Sequence, residues 1–152
     1  MHREFWFGNE NIHLLSAQAV YPNGSEFMVQ MKLLGYDSWY TNNYNHFQVD
    51  SERSNYLLHV SGGVGNEHPT YFASYQNKVE FSTYDKGCYK NCAKDDQFSG
   101  WWINAVGGCK SHQAYYFNYN GPFDKFHEKS SYHRINHYTY QPTFIELKVR
   151  RL

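Results

Sequence analysis

Long apolar runs are missing from this chain. No segment approaches the roughly 20 residues a helix needs to cross a bilayer, and the opening Met1-His2-Arg3-Glu4-Phe5-Trp6 lacks the apolar core of a signal peptide. An excess of charge of either sign is missing too. Fourteen basic residues balance fourteen acidic ones, so no net field draws the chain to nucleic acid or to an anionic membrane. There is no basic run and no basic helix face of the kind that nucleic-acid binders use. Neither a nucleic-acid partner nor membrane insertion is expected. Cysteine is scarce: Cys88, Cys92 and Cys109 permit one bridge and leave one thiol over. No Cys/His set follows Cys88 and Cys92 at zinc-finger spacing, which argues against a structural zinc. Leu and Ala are thin, so good helix formers are few.

Aromatic residues are what the chain has instead. Fifteen Tyr, eleven Phe and four Trp make up 20% of it, a composition that favours strands and amphipathic contact surfaces. At 152 residues it fits one domain with one substantial core. A short helix is predicted near the start, capped by Asn9 and carrying Ile12, Leu15 and Ala19 at helical spacing. Tyr21-Pro22-Asn23-Gly24 ends it as a turn. Asn23-Gly24-Ser25 also fits a glycosylation sequon.

Alternation then takes over. Phe27, Val29, Met31 and Leu33 share one face; Phe47 and Val49, and then Tyr56, Leu58 and Val60, repeat the pattern. These are half-buried strands of an antiparallel sheet, joined by turns at Gly35-Tyr36-Asp37 and Asp50-Ser51-Glu52. Ser61-Gly62-Gly63-Val64-Gly65-Asn66 reads as a flexible turn closing this block, and Val79 with Phe81 as one more short strand. From Thr83 to about Pro142 there is almost no period, which marks a functional or disulfide-organised stretch. Ile145, Leu147 and Val149 alternate with Glu146, Lys148 and Arg150 in a closing strand. The expected fold class is α+β: a twisted antiparallel sheet of about five or six strands, a short N-terminal helix and an irregular, aromatic-rich loop subdomain.

Three blocks resemble the fibrinogen C-terminal-like domains of ficolins, tachylectins, tenascins and angiopoietins. The first is Glu4-Phe5-Trp6-Phe7-Gly8-Asn9-Glu10-Asn11-Ile12-His13-Leu14-Leu15. The second comprises Tyr44, Phe47, Val49, Glu52, Tyr56, Leu58, Val60 and Gly62. The third joins Phe81-Ser82-Thr83-Tyr84-Asp85 to Asn91-Cys92-Ala93 and Gly100-Trp101-Trp102. Phe144-Ile145-Glu146-Leu147-Lys148-Val149-Arg150 is similar to the closing strand of the same family. The resemblance implies one fibrinogen-like domain over residues 1–152: a central subdomain at 1–82, a loop and binding subdomain at 83–142, and the closing strand at 143–152. Nothing here matches the N-terminal subdomain of that family, so the chain is expected to start inside the central one.

The resemblance also implies chemistry. Calcium in that family sits on the loop after the Phe-Ser-Thr block, held by two Asp side chains and backbone carbonyls. Here Asp85 is kept, Gly87 stands where the second acid belongs, and Lys86 and Lys90 add positive charge. Such a loop is a poor calcium site, so no cofactor is expected. The family disulfide implies Cys92 with Cys109; Cys88 with Cys109 is the competing pairing, and both stay open at this point. In acetyl-binding members an aromatic pocket lies beside that second Cys, with a cis peptide before it, which implies Gly108-Cys109 here. Trp102, Cys109, Lys110, Tyr132 and His133 occupy the matching positions. Lys110 replaces a common His and His133 a small residue, while His137 replaces a Trp. Trp101 reads as core packing, and His112, His133 and His137 as surface residues able to tune binding between about pH 5 and 8. No signature of a cysteine enzyme appears around Cys88 or Cys92.

The function implied is extracellular, non-catalytic recognition: lectin-like binding of acetylated or glycan ligands in innate-type recognition, or protein–protein adhesion and receptor binding as in tenascins and angiopoietins. Members of the family often form oligomers through regions upstream of the domain.

Overall fold

The computed structural model describes residues 5–17, 24–65, 69–95, 100–109, 119, 133–135, 138–140 and 142–152. The predicted alternation is strict in β1 (Ser25–Leu33), where every second side chain is buried. β2 (Trp39–Val49) pairs antiparallel with β1, setting Tyr44 opposite Phe27 and Asn42 opposite Val29. β3 (Leu58–Gly65) pairs with β2 on its other side. The closing strand, β6 (Pro142–Arg151), pairs with β1 and places Val149, Leu147 and Ile145 beside Phe27, Val29 and Met31. The sheet order is β3-β2-β1-β6, and β4 (His133–Ile135) with β5 (Tyr138–Tyr140) forms a separate hairpin. The α+β expectation holds, and among the described residues the main sheet has four strands against the five or six expected.

Three local expectations are corrected. Ser61 to Gly65 is no turn: Ser61 pairs with His46, Gly63 with Tyr44 and Gly65 with Asn42. A Cβ on Gly65 would lie 2.4 Å from the Thr41 carbonyl oxygen, so this strand end reaches its neighbour only because the side chain is missing. Val79 and Phe81 form no strand of their own; Val79 makes an isolated bridge to Leu58, and the next bridge joins Ser82 to Trp101. Two short helices, α2 (Pro69–Gln76) and α3 (Lys90–Asp95), sit where no period was visible.

The first helix, α1 (Asn9–Ser16), is shorter than expected, and its cap is Gly8 at φ 91° rather than Asn9. The Asn9 side chain instead accepts a 3.1 Å bond from the Trp6 indole N–H. Ser16 joins this helix to the sheet. Its buried hydroxyl donates to the Ile12 carbonyl at 2.8 Å and accepts the Val49 backbone N–H at 2.9 Å. Ser25 is fully buried, its hydroxyl donating to the Leu15 carbonyl; Asn23 of the sequon lies outside the described residues.

The core between sheet, α2 and loops is a relay of rings. Phe27 stacks on Phe47 at 4.6 Å, and Tyr44 meets Phe72 of α2 at 5.1 Å. Phe72 stacks on Tyr119 at 5.3 Å, and Tyr119 meets Trp101 edge-on at 5.8 Å. Burial raises the Tyr44 and Tyr119 hydroxyls well above the usual tyrosine range, so both stay protonated. Ser16→Ala removes the hydroxyl that accepts the buried Val49 N–H and is expected to lower the unfolding free energy by about 1–3 kcal/mol. A urea titration with an unchanged slope and a lowered midpoint is the check.

Candidate functional site

The described parts of the segment from Phe81 to Cys109 are bonded to one another and to the connection between β2 and β3. Backbone bonds of 2.9 and 3.0 Å join Ser82 and Trp101 reciprocally. Trp102 donates its indole N–H to the Tyr56 carbonyl at 2.7 Å, and Phe81 donates its backbone N–H to the Asn55 carbonyl at 2.9 Å. Trp101 and Trp102 are both buried, 5.2 Å apart and near perpendicular. Trp6 lies about 6 Å from Phe81, Trp101 and Trp102. A double tryptophan thus organises packing under the loops.

Cys92, on α3, is bonded to Cys109 with Cα atoms 5.1 Å apart, closing a loop with a sequence separation of 17. By the chain-entropy argument such a bridge contributes about 3 kcal/mol. Gly107 and Gly108, at φ 91° and 102°, turn the chain so that Cys109 comes back to α3. Cys88 is the leftover thiol, exposed and donating to a Glu80 carboxylate oxygen at 3.1 Å. That hydrogen bond, with desolvation and the carboxylate charge, pushes the thiol pKa up, so the group is held protonated.

The Asp85 turn is built differently from a cation loop. Asp85 accepts the Thr83 hydroxyl at 2.6 Å, and the Lys86 carbonyl accepts the Thr83 backbone N–H at 2.8 Å. Lys86 reaches back to Glu52 at 2.8 Å; this contact lowers the Glu52 carboxyl and raises the Lys86 ammonium. Gly87 has φ 96°, and a Cβ there would stand 2.6 Å from the Phe81 carbonyl oxygen. An acidic side chain at 87 does not fit this turn. Among the described residues no three His, Cys, Asp or Glu groups gather closely enough to hold a metal.

Of the residues of the implied pocket, Trp102, Cys109 and the backbone of His133 lie among the described residues. Trp102 is in the core with its N–H taken, and Cys109 is half-buried in the disulfide. The Gly108-Cys109 peptide bond is trans rather than cis; the two glycines supply the turn through positive φ. His133 opens β4 opposite Tyr140. Lys110, His112, Tyr132 and His137 lie outside the described residues.

Sequence reasoning missed the concavity at the other end of the double tryptophan. Trp6, Asn9, Phe81, Thr83 and Gly100 line an open groove of about 420 Å³. Gly100 shapes its floor, since a Cβ there would meet the Phe81 ring at 2.8 Å. Tyr84, next to Thr83, is 70% exposed, and Phe5 and Phe7 beside Trp6 are exposed as well. The signal was present in the Glu4-Phe5-Trp6-Phe7 run, where three aromatics cluster ahead of a helix that can bury one of them.

The profile of the C-terminal globular domain of fibrinogen beta and gamma chains matches residues 1–150. The chain belongs to the fibrinogen C-terminal domain family. Bovine fibrinogen-like protein 1 is 36% identical over 133 residues, covering 79% of this chain and 39% of that protein. The Xenopus laevis fibrinogen gamma chain is 33% identical over 130 residues, covering 74% and 28%. This fibrinogen-type chain therefore spans well under half the length of the curated relatives it matches. The fibrinogen-like globe domain of human ANGPTL2 superposes with a TM-score of 0.70 at 23% identity, over 97% of this chain and 66% of that one. Lamprey fibrin D-dimer, complexed with the peptide Gly-His-Arg-Pro-amide, does so with a TM-score of 0.64 at 23% identity, over 97% and 50%. These structures share the fold.

Two measurements test the local chemistry of this fibrinogen-type domain. Glu80→Gln is expected to lower the Cys88 pKa and speed its alkylation by iodoacetamide at pH 8 on the order of threefold; an unchanged rate contradicts the assigned hydrogen bond. Addition of EDTA is expected to leave the thermal midpoint unchanged, whereas a drop of several degrees would reveal a calcium ion on the Asp85 turn.

Proposed function

We propose that this domain is an extracellular, non-catalytic recognition module whose ligand is a protein or peptide segment engaged at the groove beside Trp6. The observation that carries this reading is the groove itself. It is open and lined by the rings of Trp6 and Phe81 together with Asn9, Thr83 and Gly100. Apolar anchors flanked by a few hydrogen-bonding groups suit an extended chain bearing one bulky side chain. Exposed Phe5, Phe7 and Tyr84 extend the aromatic surface nearby. A shared fold with the peptide-bound lamprey fibrin supports the same ligand class. Extracellular placement is supported by the family and by the Cys92–Cys109 bridge, a bond that persists in oxidising compartments. A non-catalytic role is supported by Cys88, whose proton is retained by Glu80 where a nucleophile would need to lose it.

Lectin-like binding of acetylated glycans is the second reading. The implied site at Trp102, Cys109, Lys110, Tyr132 and His133 would serve it, with Cys109 half-buried near the surface. Burial of Trp102 and the trans bond at Gly108-Cys109 weigh against it.

Panning a displayed peptide library and probing a glycan array with the same protein separates the two. Peptide hits are expected, and Thr83→Lys, which places a long charged side chain in the groove, is expected to weaken them about tenfold, with circular dichroism checking that the variant is folded. Glycan binding competed by N-acetylglucosamine, with peptides silent, would overturn the peptide reading in favour of the lectin one.

A further inference from the structure

Three cysteines meet where the chain enters α3. Cys92 of that helix is bonded to Cys109, and Cys88 stands four residues before Cys92. The chain between them is already coiled: Lys90 donates its backbone N–H to the Gly87 carbonyl at 3.4 Å, and Ala93 donates to that of Tyr89 at 3.1 Å. One turn therefore separates Cys88 from the bridge, and side chains four apart on a helical turn share a side, with Cβ atoms about 5–6 Å apart. The Cys88 thiol is exposed and donates to Oε2 of Glu80 at 3.1 Å. The same oxygen accepts the Asn55 amide at 3.0 Å. Asn55 thus aims the carboxylate, while its own carbonyl accepts the Phe81 N–H.

A thiol one turn from a disulfide can displace one of its sulfurs, but only as the thiolate. The hydrogen bond to Glu80, with desolvation and the carboxylate charge, opposes that ionisation. It also directs the sulfur toward Glu80. Of the two bridge sulfurs, that of Cys109 is the better target, since Cys92 is 3% exposed and Cys109 half-buried. A bridge from Cys88 to Cys92 would need Cβ atoms about 3.5–4.5 Å apart, closer than a helical turn sets them. Cys109 follows Gly107 and Gly108, at φ 91° and 102°, and two successive glycines let the backbone re-aim its sulfur at little cost.

We propose that Cys88, Cys92 and Cys109 form a two-state disulfide relay, held in its Cys92–Cys109 state by Glu80. When Cys88 leaves Glu80 its proton passes to solvent, and the thiolate attacks Sγ of Cys109. The Cys88–Cys109 bond forms as the Cys92–Cys109 bond breaks; the electron pair leaves on Sγ of Cys92, which takes up a proton. One thiol and one disulfide stand on each side, so the step needs neither oxidant nor reductant. The tie then passes from within α3 to the turn before it. Glu80 is a positioning residue in this scheme, and it couples the bridge to Asn55 and so to the seat of Phe81.

The chain is incubated at a series of values from about pH 6 to 9.5, quenched and alkylated with N-ethylmaleimide in acid, and mapped by mass spectrometry. The label is expected on Cys88 at the low end and on Cys92 increasingly as the pH rises. Glu80→Gln is expected to speed this transfer on the order of tenfold at about pH 8 and to move its pH profile downward. Cys88→Ser, which keeps a hydrogen-bond donor but no nucleophilic sulfur, is expected to leave Cys92 unlabelled throughout. Circular dichroism checks that each variant is folded, and the parent's own pH profile needs no variant. A label confined to Cys88 at every pH overturns the proposal. So does a transfer rate that Glu80→Gln leaves unchanged, or one proportional to protein concentration, which would mark exchange between chains.

Discussion

A single indole N–H fixes how the irregular half of this molecule sits on the regular half. Trp102 donates it to the carbonyl of Tyr56, a residue held with Asn55 in the left-handed region at φ 51° and 49°. That conformation is tolerable for Asn but costs a Tyr on the order of 1 kcal/mol or more. It turns two successive carbonyls toward the loop segment, where the Phe81 N–H and the Trp102 indole take them. The Asn55 amide is tied to Glu80, and the Tyr56 hydroxyl to Glu10. Four contacts therefore hold the strained pair, and its strain is repaid by the contacts to Phe81 and Trp102.

Everything downstream depends on that docking. Once Trp102 is seated, Trp101 is driven under the loops against Tyr119, and the ring relay carries contact on to Phe72, Tyr44 and Phe27 in the sheet. The disulfide at Cys92 then restrains the far end of a segment whose near end is already packed. The groove beside Trp6 shares its walls with this core, because Phe81 faces Trp102 on one side and the groove on the other.

Legibility in the sequence follows the same division. Phe27, Val29, Met31 and Leu33 were readable because one face of β1 is buried and the other wet, which forces a period of two. The closing strand was readable for the same reason. Gly62, Gly63 and Gly65 carry no side chains to alternate, so a strand chosen for close approach to β2 looked like a turn. From Thr70 to Gln76 the buried side chains are Phe72 and Gln76, too few positions to stamp a helical period on Tyr71 and Tyr75. The six residues of α3 owe their place to tertiary restraint at Cys92, which no local pattern encodes. At the site, the motif around Trp101 and Trp102 identified the family, but the depth of Trp102 was hidden: an indole suited to walling a pocket is equally suited to a core, and only the Tyr56 carbonyl decides between them.

The four tryptophans also divide the molecule optically. Trp6, Trp101 and Trp102 lie within 6.2 Å of one another at steep angles, close enough for their transitions to couple and to give a near-ultraviolet circular dichroism couplet tied to loop docking. Trp39 stands apart on the outer face of the sheet, half-exposed and edge-on to Phe144. Its emission is open to a collisional quencher such as iodide, from which buried Trp101 and Trp102 are shielded. The chain therefore carries two built-in reporters, one for the loop side and one for the outer face of the sheet, readable in the same cuvette without a label.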